Sequence, residues 1–216
     1  MNFNICIEHM KTVYIVCIIV LLALILSESK IVRKFVINTE FIKNESKKRD
    51  MEIHTLVYKH LFKGSNILNF GCGINTYSSL LRKEHKVTCL DVVDISVDSE
   101  PIIVYDGVNI PEHLTNYDFV IISTVLHHIP DKNIFSLLDE LSRRTKKIII
   151  IEDKVDENLF SYLKVCTWCA LTNFSFINRS YSFKTKKQWM ELFNKLHPRD
   201  IEYTTCRWAE CYVLTF

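Results

Sequence analysis

The sequence predicts an α/β fold: a Rossmann-like, mostly parallel seven-stranded sheet with an antiparallel last strand, preceded by an N-terminal hydrophobic helix. Three observations carry that expectation. From Met51 onward, short β-branched runs alternate with segments of helical character, the pattern of a parallel sheet covered on both faces. The last two runs, 201–208 and 211–216, are separated by Ala209 and Glu210 alone, which permits a hairpin and excludes a helical crossover. One uncharged apolar run, 13–26, stands ahead of all of them. A chain of 216 residues has room for one such domain and an appendage, and 48% hydrophobic residues describe a folded chain. The 27 basic and 25 acidic residues leave a net charge of +2, too small for a global field that would require nucleic acid. No dedicated basic or aromatic motif supplies one locally, so no specific nucleic-acid partner is expected.

The run 13–26 would make about 21 Å of helix at ~1.5 Å per residue, against a hydrocarbon core of ~30 Å. Spanning therefore requires Lys11 and Lys30 to snorkel or the bilayer to thin. A cleaved signal peptide is the rival. Against it, the first ten residues hold Glu8 and no Lys or Arg, and no A-x-A-like site follows. Residues 1–30 are thus expected to be an uncleaved single-pass membrane anchor. Lys30, Arg33, Lys34, Lys43, Lys47, Lys48 and Arg49 follow the run and Lys11 alone precedes it, which places the catalytic domain in the cytosol by the positive-inside rule. Residues 31–50 read as a basic linker helix, either against anionic headgroups through Ile31, Val32, Phe35 and Val36 or simply solvated.

The domain itself is expected over 51–216. Its predicted strands are 67–70, 87–93, 102–105, 119–123 and 148–151, followed by the closing pair. Its predicted helices are 54–62, 77–83, 132–144, 157–171 and 186–196; Thr185 with Gln188 three residues on has the spacing of a capping box. There is no internal repeat.

The chemistry begins where the first strand is broken by Gly71-Cys72-Gly73. Two glycines there let the backbone turn tightly and approach a ligand where a Cβ would collide. Eighteen residues beyond Gly73 stands Asp91, at a distance suited to accepting from both ribose hydroxyls of an adenosine group; a helix N-cap or a surface-loop carboxylate is the alternative. Asp94, Asp98 and Glu100 are nearby competitors. The third run ends in Tyr105-Asp106-Gly107, where Asp106 suits an adenine amino group and Gly107 leaves room for the ring, unless Asp-Gly is only a turn.

Five stretches in order, Asn69 to Gly73, Leu90 to Asp94, Tyr105 to Pro111, Tyr117 to His128 and Ile148 to Asp153, resemble the class I S-adenosylmethionine-dependent methyltransferases, with their GCG, LDVVD, YDG and VLHH motifs. The resemblance implies a seven-stranded sheet with S-adenosylmethionine over its first strands. It places Asn69 at the end of the first strand of the cofactor site, Gly71 and Gly73 at the methionine part, Asp91 at the ribose, Asp106 with Gly107 at the adenine, and Ser123 near the sulfonium. The chain departs from the family's pattern twice: Asn69 stands where an acid is common, and Asn75 occupies the third small position of the glycine motif.

A sulfonium methyl is already activated, so such a protein has mainly to align a nucleophile and exclude water. Where the acceptor needs a base, His127 and His128 follow the strand ending at Ser123, and histidine is matched to neutral pH; packing and loop shape are the competing role. Glu152, with Asp153, ends another parallel strand and is the third catalytic candidate, with helix capping as its alternative.

Cys166 and Cys169 have metal-like spacing, but Cys206 and Cys211, five apart, would face opposite sides of a regular strand. Helical core packing is expected of Cys166 and Cys169, and no metal site. Trp168, Phe174, Phe176 and Tyr181 suggest an apolar wall over a substrate pocket, or plain core. The expected function is a membrane-tethered methyltransferase acting on a small-molecule or lipid-like acceptor, with a protein acceptor as rival. A catalytically inactive methyltransferase-like interaction module is the alternative that Asn69 and Asn75 keep open. A nicotinamide dehydrogenase is disfavoured, because Gly-Cys-Gly-Ile-Asn-Thr lacks the third glycine of its fingerprint.

Overall fold

A computed structural model describes residues 39–74, 76–96, 100–173 and 181–216. The anchor expected over 1–30, the first part of the linker, Asn75, Asp98, Phe174 and Phe176 lie outside the described residues. Among the described residues no helix is long and apolar enough to cross a membrane.

In chain order the elements are α1 (Glu40–Tyr58), β1 (Asn66–Phe70), α2 (Thr76–Leu81), β2 (Lys86–Asp91), β3 (Ile103–Val104), β4 (Tyr117–Ser123), a 3-10 turn (Leu126–His128), α3 (Asp131–Ser142), β5 (Thr145–Asp153), α4 (Leu159–Asn173), α5 (Lys186–Asn194), β6 (Asp200–Thr205) and β7 (Ala209–Thr215). The seven strands form one sheet in the order β3-β2-β1-β4-β5-β7-β6. β1 pairs in parallel with both β2 and β4, and β4 with β5. β7 inserts antiparallel between β5 and β6. The Rossmann-like sheet with its antiparallel last strand is therefore the observed fold. The hairpin differs in one detail: Ala209 and Glu210 belong to β7, and the turn is made by 206–208.

Strand side chains alternate between the two sheet faces, so each parallel strand supplies both halves of the core. Leu68, Val120, Ile122, Ile148 and Ile150 face Ile134 and Leu138 of α3 and Trp189 and Phe193 of α5. Ile67, Phe119, Ile121, Ile149 and Ile151 face Ile53 and Val57 of α1 and Tyr77 and Leu81 of α2. Ile148 through Ile151 are all fully buried, as expected of a central strand. α1 begins eleven residues before the domain start read at 51 and runs through that position unbroken. β3 is only two residues long, where a run of four is predicted.

Candidate active site

The strand order reverses at β1, whose neighbours β2 and β4 leave it on opposite sides, and in open α/β sheets that switch point is where a crevice forms beyond the strand ends. Here a cavity of about 1510 Å³ opens at that place, lined among others by Gly71, Gly73, Asp91, Gly107, Ser123 and His128.

Gly71 follows β1 with φ +71°, and its N–H donates to Leu90 O at 2.7 Å. A Cβ there would stand 2.5 Å from Val125 Cγ2, so the bare backbone is what lets the loop after β4 close over the end of β1. Gly73 also has positive φ, +55°, but a Cβ would meet nothing within 4 Å. Its N–H donates to Asp91 Oδ2 at 2.7 Å, while Asp91 Oδ1 accepts from the N–H groups of Val92 at 2.7 Å and Val93 at 3.3 Å. Asp91 thus ties the glycine turn to the end of β2. A carboxylate has about four acceptor positions, so it retains capacity for hydroxyls of a ligand on the cavity side.

Asn69 is 3% exposed and donates from Nδ2 to Ser78 Oγ at 2.7 Å. The amide therefore works as a neutral buried donor to α2 at the place where an acid was to be compared. Ser123, at the end of β4, lines the cavity as expected. Beyond it Thr124 takes φ +53°, a conformation a β-branched residue rarely adopts, and its N–H continues the ladder to Ile151 O at 2.7 Å.

Three expected residues are placed otherwise. The Asp106 carboxylate is exposed and outside the cavity lining: Oδ1 accepts from the N–H groups of Val108 and Asn109 at 2.8 and 2.7 Å, and Oδ2 accepts from Asn109 Nδ2 at 2.7 Å. Those donors hold its carboxyl below the ordinary range. It shapes the turn that presents Gly107, which does line the cavity together with Tyr105 and Val108. Glu152 is 1% exposed, and its Oε1 accepts from Val125 N–H at 3.1 Å and Leu126 N–H at 2.8 Å. Its Oε2 lies 2.6 Å from His127 Nδ1. His127 is equally buried, stacked on Phe183 at 4.3 Å, and its carbonyl accepts from Ser182 N–H at 2.7 Å. Neither Glu152 nor His127 reaches the cavity wall, so both are positioning residues for the loop 125–128.

Burial pulls His127 toward neutrality, but the Glu152 carboxylate, a hydrogen bond with Cys169, and Asp153 outweigh it and push the ring up to about 10. His128 alone of the pair faces the cavity. It packs against Tyr181 at 5.4 Å, which with Phe183 5.4 Å from it belongs to a small apolar cluster around Val155 and Cys169 and is not among the residues lining the cavity.

The cavity also has a charged side that composition did not reveal. Arg49, Asp50 and Glu52 of α1 and Asp153 at the end of β5 line it. Asp50 accepts from the Thr76 hydroxyl at the start of α2, and burial pushes its carboxyl up to about 6 against the opposing effects of Thr76 and Arg49. Burial likewise raises Asp153 against the attraction of Arg49 and His127. Arg49 lies over the Trp208 ring at 5.0 Å, and the Trp208 Nε1–H donates to Glu52. In sequence Arg49, Asp50 and Glu52 stand in a charged stretch without apolar periodicity, so no motif points to them, whereas Asp153 ends the Ile148–Asp153 motif.

A family model described as a methyltransferase domain matches residues 43–195. No curated protein matches by sequence. Among solved structures, a Pyrococcus horikoshii protein is similar at 18% identity, covering 83% of this chain and 92% of that one, with a TM-score of 0.61. A methyltransferase from Archaeoglobus fulgidus, described as dependent on S-adenosylmethionine, covers 82% and 100% at 15% identity, with a TM-score of 0.59. Magnesium protoporphyrin IX methyltransferase from Synechocystis, solved with bound S-adenosylhomocysteine, covers 87% of each chain at 13% identity and a TM-score of 0.55.

Proposed function

The chain belongs to the methyltransferase-domain family and is an S-adenosylmethionine-dependent methyltransferase; we propose that it transfers the methyl group to a small-molecule or lipid-like acceptor bound in the same cavity as the cofactor. The observation that carries this reading is the size and make-up of the cavity. Its 1510 Å³ exceeds the roughly 300–1,000 Å³ typical of a single small-ligand site, leaving room for two molecules. Gly71, Gly73 and Asp91 supply the turn, the open backbone and the carboxylate that an adenosylmethionine needs. Gly107 and Tyr105 offer a flat wall for its adenine, and Arg49 with Asp50 offers opposite charges for its α-carboxylate and α-amino groups.

His128, Ser161 and Val165 of α4, and Trp208 of the β6–β7 turn also line the cavity. This half-apolar, half-polar wall suits an acceptor with a hydrophobic body. His128 is the base that would receive the acceptor's proton. The chain's work is otherwise to align donor and acceptor and to keep water out. The magnesium protoporphyrin IX methyltransferase among its structural neighbours lends support to a small-molecule acceptor. The uncharged run 13–26, followed by basic residues, supports a single-pass tether with the domain on the cytosolic side, which would bring the cavity to membrane-dissolved substrates.

The test is to incubate the full chain, in detergent, with methyl-labelled S-adenosylmethionine and separately with total lipid extract, small-molecule extract and protein extract. Label in the lipid or small-molecule fraction supports the reading. Label confined to protein overturns the acceptor class, and no label in any fraction favours the inactive interaction module.

A further inference from the structure

The loop after β4 meets α4 through three donors, of which only His128 enters the proposed methyl transfer and His127 and Cys169 do not. His127 Nε2 lies 3.5 Å and His128 Nε2 3.7 Å from Cys169 Sγ. The donor atoms of the three residues all lie within 4.8 Å of one another. We propose that His127, His128 and Cys169 form a binding site for a divalent transition metal of the zinc class, which clips α4 to the loop 126–128.

Four observations support it. A tetrahedral zinc with Zn–N of ~2.0–2.1 Å and Zn–S of ~2.3 Å sets nitrogen and sulfur about 3.5–3.6 Å apart, close to both separations. His127 Nδ1 is held by Glu152 Oε2 at 2.6 Å. That bond fixes the ring so that Nε2 points toward Cys169, the carboxylate–histidine arrangement that orients metal-binding imidazoles. Cys169 is 5% exposed and His127 1%, which shields the site from bulk solvent. Finally, the three ligand atoms all lie within 4.8 Å of one another, so a single ion reaches both nitrogens and the sulfur.

Imidazole nitrogen with thiolate sulfur selects zinc, or cobalt as its spectroscopic substitute, over magnesium or calcium. On coordination the Cys169 thiol proton and the proton on His127 Nε2 leave to solvent, and sulfur and nitrogen each donate a lone pair; nothing is oxidised or reduced. Three protein donors leave the fourth position to water. The spacing Cys166-x-x-Cys169 alone did not reveal this site, because its partners are two histidines some forty residues earlier and not a second pair of cysteines.

His128 is shared with the methyl-transfer reading, so the readout is bound metal and not activity. Full-length protein is stripped with chelator, loaded with zinc or cobalt(II), and measured for bound metal and for absorption. The expected result is one equivalent of zinc per chain, and with cobalt(II) a thiolate-to-metal charge-transfer band together with tetrahedral ligand-field bands. Cys169→Ser should remove the charge-transfer band, Glu152→Gln should weaken binding about 10- to 100-fold, and Cys206→Ser should change neither. Absence of a stoichiometric ion from the wild-type protein, or a cobalt complex lacking the thiolate band, overturns the proposal whether or not the variants fold. A band that survives Cys169→Ser overturns the ligand assignment.

Discussion

Single residues decide how the ends of β1, β2 and β4 meet. Gly71 and Gly73 look alike in sequence, yet only Gly71 is closed in by a neighbour, Val125. Gly71→Ala is therefore expected to destabilise the fold by about 1–3 kcal/mol through overpacking and a positive-φ Cβ. Gly73→Ala should cost only about 1 kcal/mol of backbone strain while weakening S-adenosylhomocysteine binding at least tenfold, because its Cβ would project where the ligand approaches. Chemical denaturation and calorimetry on both variants separate the two effects.

The His127–Glu152 pair makes a second prediction at this scale. The folded value of about 10 for His127 lies above its ordinary 6.5, so its contribution to stability is fully present below about pH 6.5 and is lost as pH rises through 10. Thermal unfolding of chelator-treated protein should show a midpoint that falls across that window. In Glu152→Gln the fall should be much shallower; an unchanged slope would remove the pair as its cause.

Among the site residues, Gly71, Gly73, Asp91, Gly107 and Ser123 were legible in the sequence, because glycines and acids at strand ends announce backbone geometry. Asp106, His127 and Glu152 were misread, since their side chains turn away from the cavity and sequence position cannot show side-chain direction. Arg49 reads in sequence only as part of the basic linker and Asp50 carries no signal, for both act through tertiary contacts with Trp208 and Thr76.

The elements follow the sequence where periodicity is strong and depart from it where contacts take over. The closing helix α5 starts on a complete capping box: Thr185 Oγ1 accepts from Gln188 N–H at 3.4 Å, and Gln188 Oε1 accepts from Thr185 N–H at 2.9 Å. Thr185→Ala should cost about 1 kcal/mol, a drop of roughly 2–4 °C in the unfolding midpoint for a chain of this size. α1 runs unbroken from Glu40 to Tyr58, where the sequence reads as two pieces, a linker helix over 31–50 and a domain helix over 54–62, because residues 40–50 carry mostly charged and polar side chains and no apolar stripe. Its N-terminal half is held by Arg49 on Trp208 and by Asp50 on α2, contacts with no signature in periodicity. β3 shrank to two residues because it pairs only with the end of β2, through Leu90 and Asp91, at the edge of the sheet.

For the whole molecule, strand order is the causal link between sequence and function. Five parallel strands with helices on both faces place every strand end on one side, and the reversal at β1 puts the glycine turn, Asp91 and the histidine loop around one cavity. The antiparallel β7 then fills the space beside β5 and brings Trp208 to the same wall. Fold class and family are legible because five motifs occur in the order of the strands; the acceptor is not, because the wall proposed for it is assembled from α1, α4 and the β6–β7 turn, which share no motif.

The central claim is that this cavity binds S-adenosylmethionine through the glycine turn and Asp91. Isothermal calorimetry of the purified chain with S-adenosylmethionine and S-adenosylhomocysteine tests it directly. One molecule bound per chain in the wild type, with binding abolished in an Asp91→Ala protein that still unfolds cooperatively, is the predicted result. No binding of either ligand by the wild-type protein, or unaltered affinity in Asp91→Ala, would contradict it.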